Sequence, residues 1–314
     1  MSFVTSQIAL RSITKRLSPM ALSPVALSPV ALVSLAVLVC VSALTAPQAL
    51  AQNMAIKGAG VLDVTSGEIL QDHTVILEDG RIQAVGPARS TEIPRGMEVI
   101  DLQGHTLLPG LIDMHVHLTS GGGYHGYERL KLTDERRAIL GVVHAKQTLM
   151  AGFTTVRNVG AGSFGDVALR DAINDGDIPG PRMLVSGPPI GMSGGHCSDN
   201  NLLPPEYGIS GEGVADGPWA ARTAVRRNIK YGADLIKTCS TGGVLSKGTK
   251  VGAPQYTVEE LTALVNEAHS RGLKVASHAH GTQGIINALH AGADTIEHAS
   301  SIDEEGIRLP IATN

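Results

Sequence analysis

Pro109-Gly-Leu-Ile-Asp-Met-His-Val-His-Leu118 marks the point where the chain changes character. The apolar run over 111–118 reads as a strand. His115 and His117 stand two apart on it, so both rings project from one face. Upstream, from Met54 to Leu108, short alternating runs are separated by turn signals, Asp79-Gly80 and Pro94-Arg-Gly96 among them, with no helical pattern. That pattern predicts a small antiparallel β-unit. Downstream, apolar runs over 154–158, 183–187, 234–238, 274–278 and 295–299 alternate with helical stretches over 135–150, 167–174, 218–231, 257–270 and 283–290. Thr257 with Glu260 forms a capping box, and Leu261, Leu264, Val265 and Ala268 repeat at helical spacing. Regular strand–helix alternation implies parallel strands joined by right-handed crossovers, in a doubly wound sheet or a (β/α)8 barrel. No G-x-G-x-x-G opens a helix after a strand and no Walker A pattern occurs, so a nucleotide-binding sheet has no support. A barrel puts polar chemistry at the C-terminal ends of several strands.

Composition narrows the class. The 314 residues carry a net charge of −4 with 43% hydrophobic and 17% charged residues, which argues against nucleic-acid binding. Three Cys are too few for a disulfide scaffold. The 37 Gly lack a collagen period and imply many tight turns. Residues 1–51 contain Arg11, Lys15 and Arg16 but no acidic residue, then an apolar run over 30–44, then Ala49-Leu-Ala51. This reads as a cleaved signal peptide; an anchoring helix is the alternative, but the run is shorter than the ~20 residues that span a bilayer. Leu38-Val39 before Cys40 does not suit lipidation. Removing 51 residues leaves 263, with 22 basic and 29 acidic side chains. The expected location is periplasmic or secreted, with no stable membrane insertion after cleavage. Cys197 and Cys239 then either pair or sit as small buried apolar groups.

The strand ends hold the chemistry. Twelve His in 314 residues give roughly 0.5 accidental His-x-His pairs, so the spacing of His115 and His117 is weak by itself, and two satisfied core histidines are the bland alternative. Solvated rings at the end of a buried strand are costly, however, and the pattern recurs. His278 and His280 repeat it in Ser-His-Ala-His-Gly, and His298 ends Thr-Ile-Glu-His. Lys237 ends Ala-Asp-Leu-Ile-Lys; alone it reads equally as an ion-pair or phosphate contact. Burial lowers a lysine pKa, and a neutral amine can add CO2 to become a carbamate.

Together, the motifs at 109–117, 232–237, 277–281 and 295–299 resemble the metal-dependent amidohydrolase superfamily, in its Xaa-Pro dipeptidase-like and imidazolonepropionase-like branch. The resemblance spans essentially the whole chain after the leader. It implies a (β/α)8 TIM barrel over 109–314, with 52–108 supplying the N-terminal part of a flanking β-sandwich. It implies two divalent ions, usually zinc: His115 and His117 on one, His278 and His298 on the other, and carbamylated Lys237 bridging. His280 would face substrate. Tyr231 resembles the tyrosine that dipeptidase-like members place on the substrate carbonyl, and helix-end packing is its alternative. His196, in the Gly-rich stretch Gly194-Gly-His-Cys, and Tyr124 are further substrate-binding candidates.

The implied reaction is hydrolysis of dipeptides or N-acyl amino acids by metal-activated hydroxide. Cyclic amide hydrolysis of the imidazolonepropionase kind and an inactive metal-binding chain are the alternatives. Partners are a small molecule or dipeptide and no nucleic acid; a homo-oligomer is allowed, and nothing sets its size. One family element is not found: the Asp at the end of barrel strand eight that shuttles protons. Six barrel strands are legible, 15 residues follow the last, and the tail from Leu309 does not continue a helical pattern. Asp303, five residues past His298, is not given that role. The expectation is a C-terminally truncated chain.

Overall fold

In a computed structural model the described residues are 53–124, 126–198 and 202–312. The leader expected over 1–51 lies outside them. The described chain divides into two compact units, one comprising residues up to Lys57 with Thr74–Ile100, the other Gly58–His73 with Asp101 onward.

The upstream strands are β1 (Met54–Leu62), β2 (Ile69–Glu78), β3 (Arg81–Pro87), β4 (Glu98–Asp101) and β5 (Thr106–Leu107), in one sheet of order β3-β2-β1-β4 with β5 beside β1. β2 and β3 are joined at Asp79-Gly80, where φ is +50° and +71°. Two positive φ values in a two-residue turn match the right-handed twist of the flanking strands, and Asp-Gly tolerates them. The antiparallel expectation fails at β5, which runs parallel to β1 with Gly60 opposite Thr106 and Val61 opposite Leu107. Alternation in a sequence says which side chains share a face and leaves the neighbour's direction open.

The larger unit contains β6 (Leu111–Val116), β7 (Phe153–Asn158), β8 (Arg182–Val185), β9 (Leu235–Cys239), β10 (Lys274–Ala279) and β11 (Thr295–His298). Helices α1 (Asp134–Met150), α2 (Gly165–Asn174), α3 (Gly217–Lys230), α4 (Val258–His269), α5 (Thr282–His290) and α6 (Glu304–Ala312) alternate with them. The strands form two parallel three-stranded sheets, β6-β7-β8 and β9-β10-β11, each in sequence order. A single bridge, Ile190 to Thr238, links the segment after β8 to β9. Among the described residues these are the six strands expected from the sequence.

Two apolar clusters back the sheets. One packs Ile236 and Val275 against Val225, Leu261, Leu264 and Ala288; the other packs Val156, Met183 and Val185 against Ala145 and Leu169. α3 and α4 are also tied by charge: Glu267, nearly buried, accepts from Arg226 at 2.8 and 3.0 Å and from Arg222 at 3.2 Å. β6 is atypical of a parallel strand, since Leu111, Ile112 and Met114 stay about half exposed.

The tail differs from expectation, because α6 runs through Leu309. Asp303 begins it, accepting from Gly306 N at 2.9 Å through its side chain and from Ile307 N through its carbonyl. Glu304 and Glu305 lie in the first turn, where negative charge favours a helix. These start signals outweigh the breaker Pro310.

The capping box is present: Glu260 N donates to Thr257 Oγ1 and Thr257 N to Glu260 Oε2. Thr257→Ala should lower stability by about 1 kcal/mol and the melting temperature by about 2–4 °C. Thermal unfolding followed by circular dichroism checks this.

Candidate active site

The C-terminal ends of β6, β9, β10 and β11 open into a cavity of about 890 Å³. His115, His117, His196, Lys237, His278, His280 and His298 all line it. The rings form a chain of neighbours, with centroids 5.3 Å apart for His115–His117, 4.8 Å for His115–His298 and 4.7 Å for His278–His298. His280 lies 4.7 Å from both His278 and His298, and His196 lies 4.1 Å from His278.

The rings of His115, His117, His196, His278 and His280 are each aimed by what one nitrogen touches. His115 Nδ1 lies 2.7 Å from Glu297 Oε2, and His117 Nδ1 lies 3.1 Å from the Gly160 carbonyl. Carboxylate and carbonyl oxygens only accept, so both Nδ1 atoms carry the proton and both Nε2 lone pairs are free. His278 Nε2 reaches the Gly242 carbonyl at 3.4 Å, which leaves its Nδ1 free. His280 Nδ1 pairs with Ser300 Oγ at 2.9 Å, and His196 Nδ1 with Ser246 Oγ. One ring nitrogen from each of His278, His280 and His298 lies within 4.8 Å of the others.

The backbone that carries these rings is clamped. Just past His117, Leu118 N donates to Asn158 Oδ1 at 2.8 Å, and the Leu118 carbonyl accepts from His144 Nδ1 at 2.7 Å. Asn158 in turn donates to buried Asp166, whose carboxyl is raised by burial against the hydrogen bonds that oppose the shift, those from Gly187 and Asn158 foremost. Gly160 adopts φ +143°, and a Cβ there would lie 3.3 Å from His117 Cε1. Only glycine leaves room for that ring while presenting its carbonyl. β11 ends on His298 and Ala299, at φ +71° and +46°.

Burial favours the neutral form of His117, His196, His278, His280 and His298. Burial, followed by the repulsion of Lys237 and neighbouring imidazoles, lowers His117 and His196 to about 4 and His278 to about 2. His117 opens onto the cavity yet is packed round by protein, so its desolvation is large. His298 is lowered to about 4 and His280 in the same direction, with desolvation the first cause in both. Buried Lys237 falls to about 8; desolvation dominates and Glu297 partly offsets it. Converging imidazoles, most of them with one nitrogen tied back by a protein oxygen, suit a divalent ion.

Tyr124 and Tyr231 are not in the cavity wall, and Tyr127 is. Tyr231 follows the last turn of α3, half exposed, with its ring 4.7 Å from Phe164. That helix end feeds the N-terminal end of β9, whereas the cavity is lined from mid-strand Lys237 to Cys239 at the other end. Cys197 and Cys239 form a disulfide with Cα atoms 6.2 Å apart, tying the segment of His196 to the strand of Lys237. Arg157, Glu297 and Ser246 are missed by the sequence reading. A lone charge inside each of two otherwise apolar strands was the available signal for the first two.

Parallel strands alternating with helices, with imidazoles gathered at strand ends, define a TIM-barrel-like α/β fold, and solved structures agree. An Xaa-Pro dipeptidase with bound methionine matches at 36% identity with a TM-score of 0.75, covering 83% of this chain and 64% of that one. A prolidase complexed with N-methylphosphonate-L-proline matches at 32% and 0.74, covering 82% and 64%. Ochratoxinase from Aspergillus niger is 32% identical over 269 residues, 79% of this chain and 54% of that protein. The chain therefore spans about half the length of that curated relative. Residues 106–314 match the amidohydrolase family and 64–107 the NagA composite domain. This chain belongs to the amidohydrolase family.

Two outcomes follow from the geometry. Gly160→Ala should displace the His117 ring and weaken binding of an added divalent ion about 10-fold or more, as loss of an orienting contact does; competition with a chromophoric chelator measures it. The second concerns acid. Imidazoles whose native pKa lies below the unfolded ~6.5 take up protons on unfolding, so stability falls as pH drops from about 6.5 towards about 4. Glu297, held near 2 against its burial by the His115 and Thr295 hydrogen bonds and by Arg157, adds stability above about 4.5 that is lost towards 2. Melting curves of metal-free protein should show a continuous decline through both windows.

Proposed function

We propose that this chain is a binuclear metal-dependent hydrolase that cleaves the amide bond of dipeptides or N-acyl amino acids, as an Xaa-Pro dipeptidase does. The observation that carries the reading is the gathering of five strand-end imidazoles and a buried lysine in one cavity. His115 and His117 hold one ion through Nε2, and His278 and His298 hold the other. His280, beside that pair, faces the substrate amide. Two divalent ions, zinc by family resemblance, supply a hydroxide at neutral pH and polarise the scissile carbonyl.

Lys237 is the bridging residue. Its pKa near 8 leaves a neutral amine fraction at neutral pH, which adds CO2 and releases a proton to give a carbamate. His196 and its neighbours wall the substrate side of the cavity. Similarity to prolidases and ochratoxinase supports a small amide substrate. A periplasmic or secreted location is supported by the Cys197–Cys239 disulfide, since disulfides persist in oxidising compartments.

Metal analysis of the expressed chain, with turnover of Xaa-Pro and Xaa-Arg dipeptides, N-acyl amino acids and cyclic amides, tests this reading. Two equivalents of metal and linear amide turnover are expected. Turnover of cyclic amides alone would move the substrate to the imidazolonepropionase kind. Metal without turnover would sink the activity, and a folded protein without metal would sink the ligand set. Lys237→Ala should lose bound metal and activity together, with activity returning on addition of short carboxylates. Unchanged metal content in that variant would overturn the bridge.

A further inference from the structure

Arg157 on β7 and Glu297 on β11 form an ion pair that the proposed chemistry does not use. Arg157 Nη2 lies 2.5 Å from Glu297 Oε1, and the two residues are 8% and 6% exposed. Arg157 also donates through Nε to the Met114 carbonyl at 2.7 Å and through Nη1 to Thr295 Oγ1 at 3.0 Å. Thr295 Oγ1 donates to Glu297 Oε1 at 2.8 Å. Stability does not account for this network, because a buried ion pair rarely outperforms apolar residues of equal volume.

Both ends of the pair converge on His115. Glu297 Oε2, the oxygen Arg157 leaves free, accepts a hydrogen bond from His115 Nδ1–H at 2.7 Å. The guanidinium meanwhile holds the carbonyl of Met114, the residue before His115. We infer that Arg157 and Glu297 are positioning residues for His115: they fix its Nδ1–H tautomer, aim its Nε2 lone pair into the cavity, and lend the ring anionic support. The inference rests on the reading of His115 as a metal ligand. Arg157 orients Glu297, and Glu297 orients the ring; neither touches substrate.

The test uses the full chain, stripped of metal, with Zn2+ as probe. Affinity is read by chelator competition, and the His115 tautomer by 15N-histidine NMR, assigned by difference with His115→Asn. The double variant Arg157→Met/Glu297→Leu removes both charges at similar volume, so its melting temperature should hold or rise. Its zinc affinity should nevertheless fall about 10- to 100-fold, and its His115 signals should show mixed tautomers. Glu297→Gln keeps an acceptor and loses the charge. It should retain the Nδ1–H tautomer and lose about 10-fold in affinity, and being nearly isosteric it keeps the test decisive if the double variant misfolds. Wild-type zinc affinity in either folded variant overturns the inference. If His115→Asn weakens zinc binding and these variants do not, the inference alone fails; if His115→Asn changes nothing, the ligand set fails with it.

Discussion

Parallel strands ordinarily bury near-continuous runs of Val, Ile and Leu, yet here Arg157, Lys237, His278 and Glu297 are all buried at or beside strand ends. That is tolerable only because each polar group has a neighbour that answers it. Glu297 is the hinge of the arrangement, touching Arg157, Thr295 and His115 and supplying the negative charge nearest Lys237. Without it, the interior would hold a guanidinium with no counter-ion beside a lysine that burial has already pushed towards neutrality. The carboxylate lets β6, β7 and β11 present polar side chains inward.

The order of elements was legible because two periods of different length alternate along the chain, and packing enforced both. The helix begun by Thr257 illustrates this: cap, box partner and apolar stripe agree, and α4 starts there. The site was legible for a different reason. His-x-His on a strand puts two rings on one face whatever the surroundings, so the sequence alone brings His115 to His117 and His278 to His280. Which strand ends lie side by side is set by topology, and the 4.8 Å approach of His115 to His298 could not be read from spacing.

What escaped reading was decided by partners far away in the chain. Tyr231 looked like a substrate contact by motif, but a residue at a helix C-terminus sits at the opposite end of the strand from the chemistry. Glu297 stood in plain view beside His298, and nothing local says that its partners are 140 and 182 residues away. Gly160 is similar: a glycine after a strand is unremarkable until the ring of His117 is found 3.3 Å from where its Cβ would be. Pro310 misled in the other direction, since a local breaker loses to a well-started helix.

The left-handed pair that ends β11 has an engineering consequence. His298 and Ala299 at φ +71° and +46° each sit where a side chain costs of order 1–3 kcal/mol. The surrounding hydrogen bonds, Ala299 N to the Ala279 carbonyl and Ser301 N to the His280 carbonyl, hold them there. A designer seeking thermostability would put glycine at Ala299 and gain by relieving the strain. The same change would loosen the turn that fixes the histidine beside it, so the substitution trades rigidity of that side chain for stability of the chain.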